Sequence, residues 1–159
     1  MLKKNLKSAT SALIGAALLA TLTGCANGPD APTRMVKQVT DGVEATSGSI
    51  KAVNVLLVAQ ADGSAVLVGT FVNEGATPDA ITAITLKGIT PTGFKTAMLD
   101  QNKPARFTGD SANASAVFPG AAAVAGARLP LEVTFQNAGP MKLDAIVRAQ
   151  DGYYANTTK

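Results

Sequence analysis

The feature that most constrains this chain is interruption. From residue 50 to residue 147, short runs of Val, Ile, Leu, Thr and Ala are broken repeatedly by Gly, Pro, Asn or Asp. Runs this short and this rich in β-branched residues, closed by turn formers, read as strands and hairpins rather than helices. Val53, Val55 and Leu57 alternate, and so do Val66, Val68 and Val72. Between them stands Ala61-Asp62-Gly63-Ser64, where Asp-Gly suits a type I′ turn, so the two runs are predicted to form a hairpin. Leu56, Val58, Leu67 and Phe71 load the opposite faces with apolar side chains, which places both strands inside a sheet rather than at its rim.

A further strand is predicted over 80–86, ended by Gly88 and Pro91. Shorter ones are predicted near 94–99, 105–108 and 114–118. Leu131, Val133 and Phe135 alternate with Glu132, Thr134 and Gln136, while Met141, Leu143, Ala145 and Val147 alternate with Lys142, Asp144 and Arg148. Asn137-Ala138-Gly139-Pro140 joins these runs as a second hairpin. Roughly seven or eight strands at hairpin spacing predict an all-β domain, a two-sheet antiparallel β-sandwich with Greek-key connections. Upstream, Met35, Val39 and Val43 recur every four residues and could line a short helix.

The N-terminus carries a different message. Lys3, Lys4 and Lys7 precede an uncharged apolar stretch over 12–22, the charged and apolar regions of a helical export signal. The apolar stretch is shorter than the ~20 residues a spanning helix needs. Directly after it comes Leu22-Thr23-Gly24-Cys25, the lipobox order of Leu, two small residues and Cys. Cleavage is expected between Gly24 and Cys25, with acyl chains on the Cys25 thiol holding the mature chain on the extracytoplasmic face of a membrane. Each buried methylene of such chains contributes ~0.8 kcal/mol, and two chains anchor stably where one does not. The expected organisation is a signal peptide over 1–24, a lipidated N-terminus and linker over 25–48, a sandwich domain over 49–150 and a polar tail over 151–159.

Composition narrows function by exclusion. The net charge of +3 is that of Lys3, Lys4 and Lys7; without the signal, basic residues match the 11 acidic ones. A neutral domain offers no electrostatic footprint for nucleic acid. Histidine is absent, which removes the commonest metal ligand and the usual general base, and with them the ordinary zinc sites and serine triads. Cys25 is the sole cysteine, so no disulfide staples the fold. No nucleophile is seen beside a plausible base, and the expectation is a protein that is not an enzyme.

Three segments, taken in order, carry a resemblance. Ala65-Val-Leu-Val-Gly-Thr-Phe-Val-Asn73-Glu-Gly75-Ala-Thr-Pro-Asp79 resembles the strand, Asn-x-Gly turn and Asp of the PCu(A)C periplasmic copper chaperones and of their actinobacterial lipoprotein relatives of the LpqE type. The stretch 129–147 resembles that family's last hairpin, and 39–55 is similar to the lead-in of the lipoprotein branch. The resemblance implies a cupredoxin-like or immunoglobulin-like sandwich displayed outside the cytoplasm. It also implies Cu(I) as a candidate cargo, held in that family by His and Met, but the ligand histidines are missing here. Met98 lies near the region of the family's first ligands, whereas Met35 and Met141 match no ligand position.

Among the other candidates, Met141 shares an alternating face with Leu143 and reads as core. Asp79, Asp100 and Asp110 fall in turns, where aspartate commonly bonds its own backbone, and Asn73 and Asn137 read as turn formers. Tyr153 and Tyr154 could form an adhesive patch or cap the sandwich. The expected function is a surface-anchored, non-catalytic binding or scaffolding module without a cofactor, its partners the membrane and an unidentified envelope protein or ligand. The alternative is a copper chaperone with weak Cu(I) binding through Met98 and a second thioether.

Overall fold

The computed structural model describes residues 40–157. Residues 1–39, which include the lipobox, Met35 and Val39, lie outside the described residues. Nine strands follow in order: β1 (Val43–Ser47), β2 (Ile50–Ala59), β3 (Ala65–Asn73), β4 (Asp79–Leu86), β5 (Ala97–Leu99), β6 (Ala105–Arg106), β7 (Val117–Phe118), β8 (Arg128–Phe135) and β9 (Met141–Arg148). A short 3-10 helix, Gly152–Tyr154, closes the described chain. No helix among the described residues is long and apolar enough to cross a membrane.

The strands join one continuous sheet in the order β5-β4-β8-β9-β2-β3-β6, with β1 on β2 and β7 on β3. The sheet wraps into a nearly closed, barrel-like sandwich. Its two ends meet where β5 approaches β3: Asn73 bridges to Gln101, and the Asn102 N–H donates to the Asn73 carbonyl at 2.9 Å. The all-β expectation holds, with one change of wiring. β2 and β9 pair in parallel, Leu56–Val58 against Ile146–Arg148, so the sheet is not antiparallel throughout.

The core is the inner face of this wrapped sheet. Leu131, Val133, Phe135, Met141, Leu143, Ala145 and Val147 point into it as the alternation of β8 and β9 predicts. Phe71 stands between Phe107 and Phe135, with ring centroids 5.7 and 6.4 Å away. In β2 the inward residues are Ile50 and Ala52, then Val55 and Leu57. The phase therefore slips at Asn54, where the pairing to β3 shifts register. Val53, expected to share a face with Val55 and Leu57, lies on the other side of that slip.

Asn54 takes a left-handed φ of 53°, a conformation asparagine tolerates better than a β-branched residue. Its side chain accepts the Gly42 N–H at 2.8 Å. Glycines flank the slip because nothing larger fits. A Cβ on Gly42 would stand 2.5 Å from the Asn54 carbonyl carbon, and one on Gly69 about 3.0 Å from Val55. Across this bulge β2 exchanges its neighbour, from β1 along its first half to β9 along its second.

Two expectations for the flanks are corrected. Val43 opens a strand that pairs with β2 rather than lining a helix, so part of the stretch read as linker belongs to the sheet. The segment read as a polar tail folds back, burying Tyr154 against Leu56, Val58 and Val68 on the outer face of the sheet. This second cluster explains the apolar residues seen on both faces of β2 and β3. The Tyr154 hydroxyl donates to Asp41 at 3.2 Å, and Asp41 also pairs with Arg148 at 3.3 Å. The start and end of the domain are tied together at that point.

Candidate functional site

Among the described residues the two methionines, Met98 and Met141, do not converge. Met98 lies in β5 opposite Ala80, with 62% of its surface exposed. Met141 lies in β9 opposite Val133, buried in the core as its alternation predicts. β4 and β8 separate their strands, and at ~4.8 Å per strand the offset across the sheet alone is about 14 Å before register is counted. Among the described residues no group of three or more His, Cys, Asp or Glu is placed to hold a metal ion. Met35, Gly24 and Cys25 lie outside the described residues.

Asn73 and Asp79, the polar marks of the β3–β4 motif, are both buried and both fully engaged. Asn73 Nδ2 donates to the carbonyls of Thr77 and Leu99 at 2.8 and 2.9 Å. Its Oδ1 accepts the Gly75 N–H at 2.9 Å and the Ser49 hydroxyl at 2.8 Å. One side chain thereby shapes its own turn and pins β5. Asp79 Oδ1 accepts the N–H groups of Ala80 and Asn137 at 2.7 and 2.9 Å, and Oδ2 accepts that of Ala138 at 2.9 Å. Burial pushes the Asp79 carboxyl upward, but donation from the Asn137, Ala80 and Ala138 backbone outweighs it, and the group lies below the usual carboxylate range. This carboxylate clamps the turn between β8 and β9; its hydrogen bonds are committed to the fold.

Asn137 Nδ2 donates to the Pro78 carbonyl at 3.2 Å, a long-range tie to the β3–β4 turn rather than a bond within its own turn. Asp100 is exposed and pairs with Lys103 at 3.0 Å, a contact of small energetic weight.

Asp110 is placed differently. It lines a cleft of ≈ 580 Å³ with Asn54, Thr70, Ser115, Asn156 and Tyr153. The bulge of β2 and the side-chain-free Gly69 form one wall, the loop after β6 a second, and the C-terminal turn a third. Tyr153 is 91% exposed and its ring meets the buried Tyr154 edge-on, centroids 5.3 Å apart and planes at 87°. The tyrosine pair thus divides its tasks: Tyr154 caps the outer cluster and Tyr153 faces solvent at the cleft. Burial raises the Tyr154 hydroxyl above its ordinary range and the charge of Asp41 adds to this, so Tyr154 keeps its proton.

Sequence reasoning had Asp110 as a turn residue and Tyr153 as part of an adhesive patch or a cap, and it passed over Asn54, Gly69, Ser115 and Asn156. A polar residue inside an apolar run, Val53-Asn54-Val55, was the available signal for the bulge. The other positions become neighbours only through the fold.

The wrapped sheet shares its fold with PCuAC domains of known structure. An apo PCuAC domain from PmoF1 superposes with a TM-score of 0.58 at 22% identity, covering 67% of this chain and 99% of that one. A copper-bound PCuAC domain from PmoF2 gives 0.53 at 20% identity, covering 67% and 98%. The apo PmoF2 PCuAC domain gives 0.55 at 18%, covering 69% and 98%. At these identities the likeness is one of fold. No family model and no curated protein matches the sequence.

Proposed function

We propose that this chain is an exported lipoprotein whose PCuAC-type domain serves as a non-catalytic binding module on the outer face of a membrane. The lipobox ending at Cys25, behind a basic and apolar leader, supports the anchoring. Kinship with LpqE-type lipoproteins belongs to the same proposal, resting on the lipobox together with the order of the β motifs. The observation that carries the binding reading is the separation of parts. The core takes Met141, the fold takes Asn73 and Asp79, and the polar cleft around Tyr153 is left uncommitted.

The test is fractionation of cells expressing the parent or Cys25→Ser, with mass spectrometry of the mature N-terminus. Lipid on Cys25 and release of the serine variant from membranes are the expected results. An unmodified Cys25, or a serine variant as firmly bound as the parent, overturns the proposal.

A second reading, copper carriage, is favoured by the exposure of Met98 on a fold that one neighbour uses in a copper-bound state. Two-coordinate thioether binding suits Cu(I). Met141, in the core, is closed to that role. Titration with Cu(I) against a competing chelator decides this reading; binding that is absent, or unchanged in Met98→Leu, removes it.

A further inference from the structure

Resting on the binding-module reading, we infer that the cleft between the β2 bulge, the loop after β6 and the C-terminal turn is a site for a neutral saccharide. Its ≈ 580 Å³ falls within the range of small-molecule sites. Its polar groups are unspent. Among the described residues, the side chains of Thr70, Asp110, Ser115 and Asn156 make no hydrogen bond, and Asn54 uses only Oδ1, toward Gly42.

The charge and the ring select the ligand class. Among the described residues no lysine or arginine lines the cleft and Asp110 is its sole charged residue, so a phosphate, sulfate or carboxylate would meet no cation there. Hydroxyls and amides that both donate and accept, with one carboxylate as an acceptor, match the hydroxyls of a sugar. Tyr153 adds the apolar half. Its ring meets Tyr154 edge-on and leaves its faces open, so a flat C–H face of a sugar can lie against it. An organic cation would engage the Tyr153 ring and Asp110 but would leave Asn54, Thr70, Ser115 and Asn156 without function. A saccharide uses them all.

The chain supplies its own probe. It has no tryptophan and two tyrosines, both lining the cleft, so all of its tyrosine emission reports this site. The experiment uses the mature chain carrying Cys25→Ser, titrated with neutral trisaccharides of glucose, galactose, arabinose and N-acetylglucosamine, and separately with tetramethylammonium. Saturation-transfer NMR accompanies the fluorescence, so that Tyr153→Ala can be followed as well.

The expected result is saturable binding of at least one sugar. Tyr153→Ala and Asp110→Ala should each weaken it about tenfold or more, close to 1.4 kcal/mol, while Val124→Ser, at an exposed position away from the cleft, leaves it unchanged. No sugar binding up to about 10 mM, well above a weak ~1 mM affinity, overturns the inference. So does sugar binding indifferent to Tyr153, or binding of tetramethylammonium alone. If the soluble domain binds sugar but the precursor is not lipidated, the anchoring proposal falls and this site stands.

Discussion

Removing the Asp79 carboxylate is the sharpest test of how this domain is held together. Its two oxygens accept three backbone N–H groups at 2.7, 2.9 and 2.9 Å, joining the start of β4 to the β8–β9 turn 58 residues away. In Asp79→Ala all three donors lose their partner. An unsatisfied buried donor costs about 1–3 kcal/mol, but the Asn137 and Ala138 groups are only part-buried and recover some water. The sum then lies near the lower bound, about 3–5 kcal/mol, a large share of the 5–15 kcal/mol typical of a domain. Asp79→Asn keeps one acceptor oxygen but turns an NH2 toward one donor, and should cost about 2 kcal/mol.

The pH dependence has a definite sign. The folded carboxyl titrates below its unfolded value, so the unfolded chain binds the proton first and stability rises with pH across that window. The contribution is fully present above an unfolded pKa of about 3.9 and is lost as pH falls through the lower folded value. Urea unfolding of the soluble Cys25→Ser domain, with and without Asp79→Asn, measures this directly. The gap between the two should shrink as pH falls below about 4. An alanine variant within about 0.5 kcal/mol of the parent, the range of ordinary surface changes, or a gap independent of acid, would refute the clamp.

Other perturbations separate the remaining roles. Met141→Ala opens a cavity in the core and should lose about 2–5 kcal/mol, whereas Met98→Ala, on the exposed face of β5, should stay within about 0.5 kcal/mol; equal losses in urea melts would contradict the burial assigned to each. Gly42→Ala drives a Cβ to 2.5 Å from the Asn54 backbone and should cost about 1–3 kcal/mol, with amide exchange speeding up along β1 and the bulge. Unaltered exchange there would mean that Gly42 is not what seats Asn54.

Much of the sheet was legible because period-two patterning is imposed by burial on one face. β8 and β9 keep a single phase throughout, so Leu131 to Phe135 and Met141 to Val147 were read correctly, and the Asp-Gly turn fixed the β2–β3 hairpin. What failed was phase. β2 slips at Asn54, and a slip of one residue exchanges the two faces. The parallel β2–β9 pair was illegible for a related reason: no turn links the two strands, so no local signal records their pairing. The polar knots at Asn73 and Asp79 were seen as turn residues, but their long-range partners, Leu99 and the Asn137–Ala138 N–H groups, exist only after the sheet has closed.

The same slip that defeated the pattern makes the candidate site. A bulge leaves a ladder incomplete and is kept where it redirects side chains. In β2 it turns Asn54 toward the cleft, demands glycine at 42 and 69, and lets the strand leave β1 to meet β9. Gly69, lacking a side chain, then becomes part of the wall into which Tyr153 and Asp110 converge from segments far apart in sequence. A domain selected for packing alone would fill this corner with the branched residues its strands carry everywhere else. That it instead holds an asparagine, two glycines, free hydroxyls and one exposed ring is the physical reason to propose recognition there rather than at the isolated thioether of Met98.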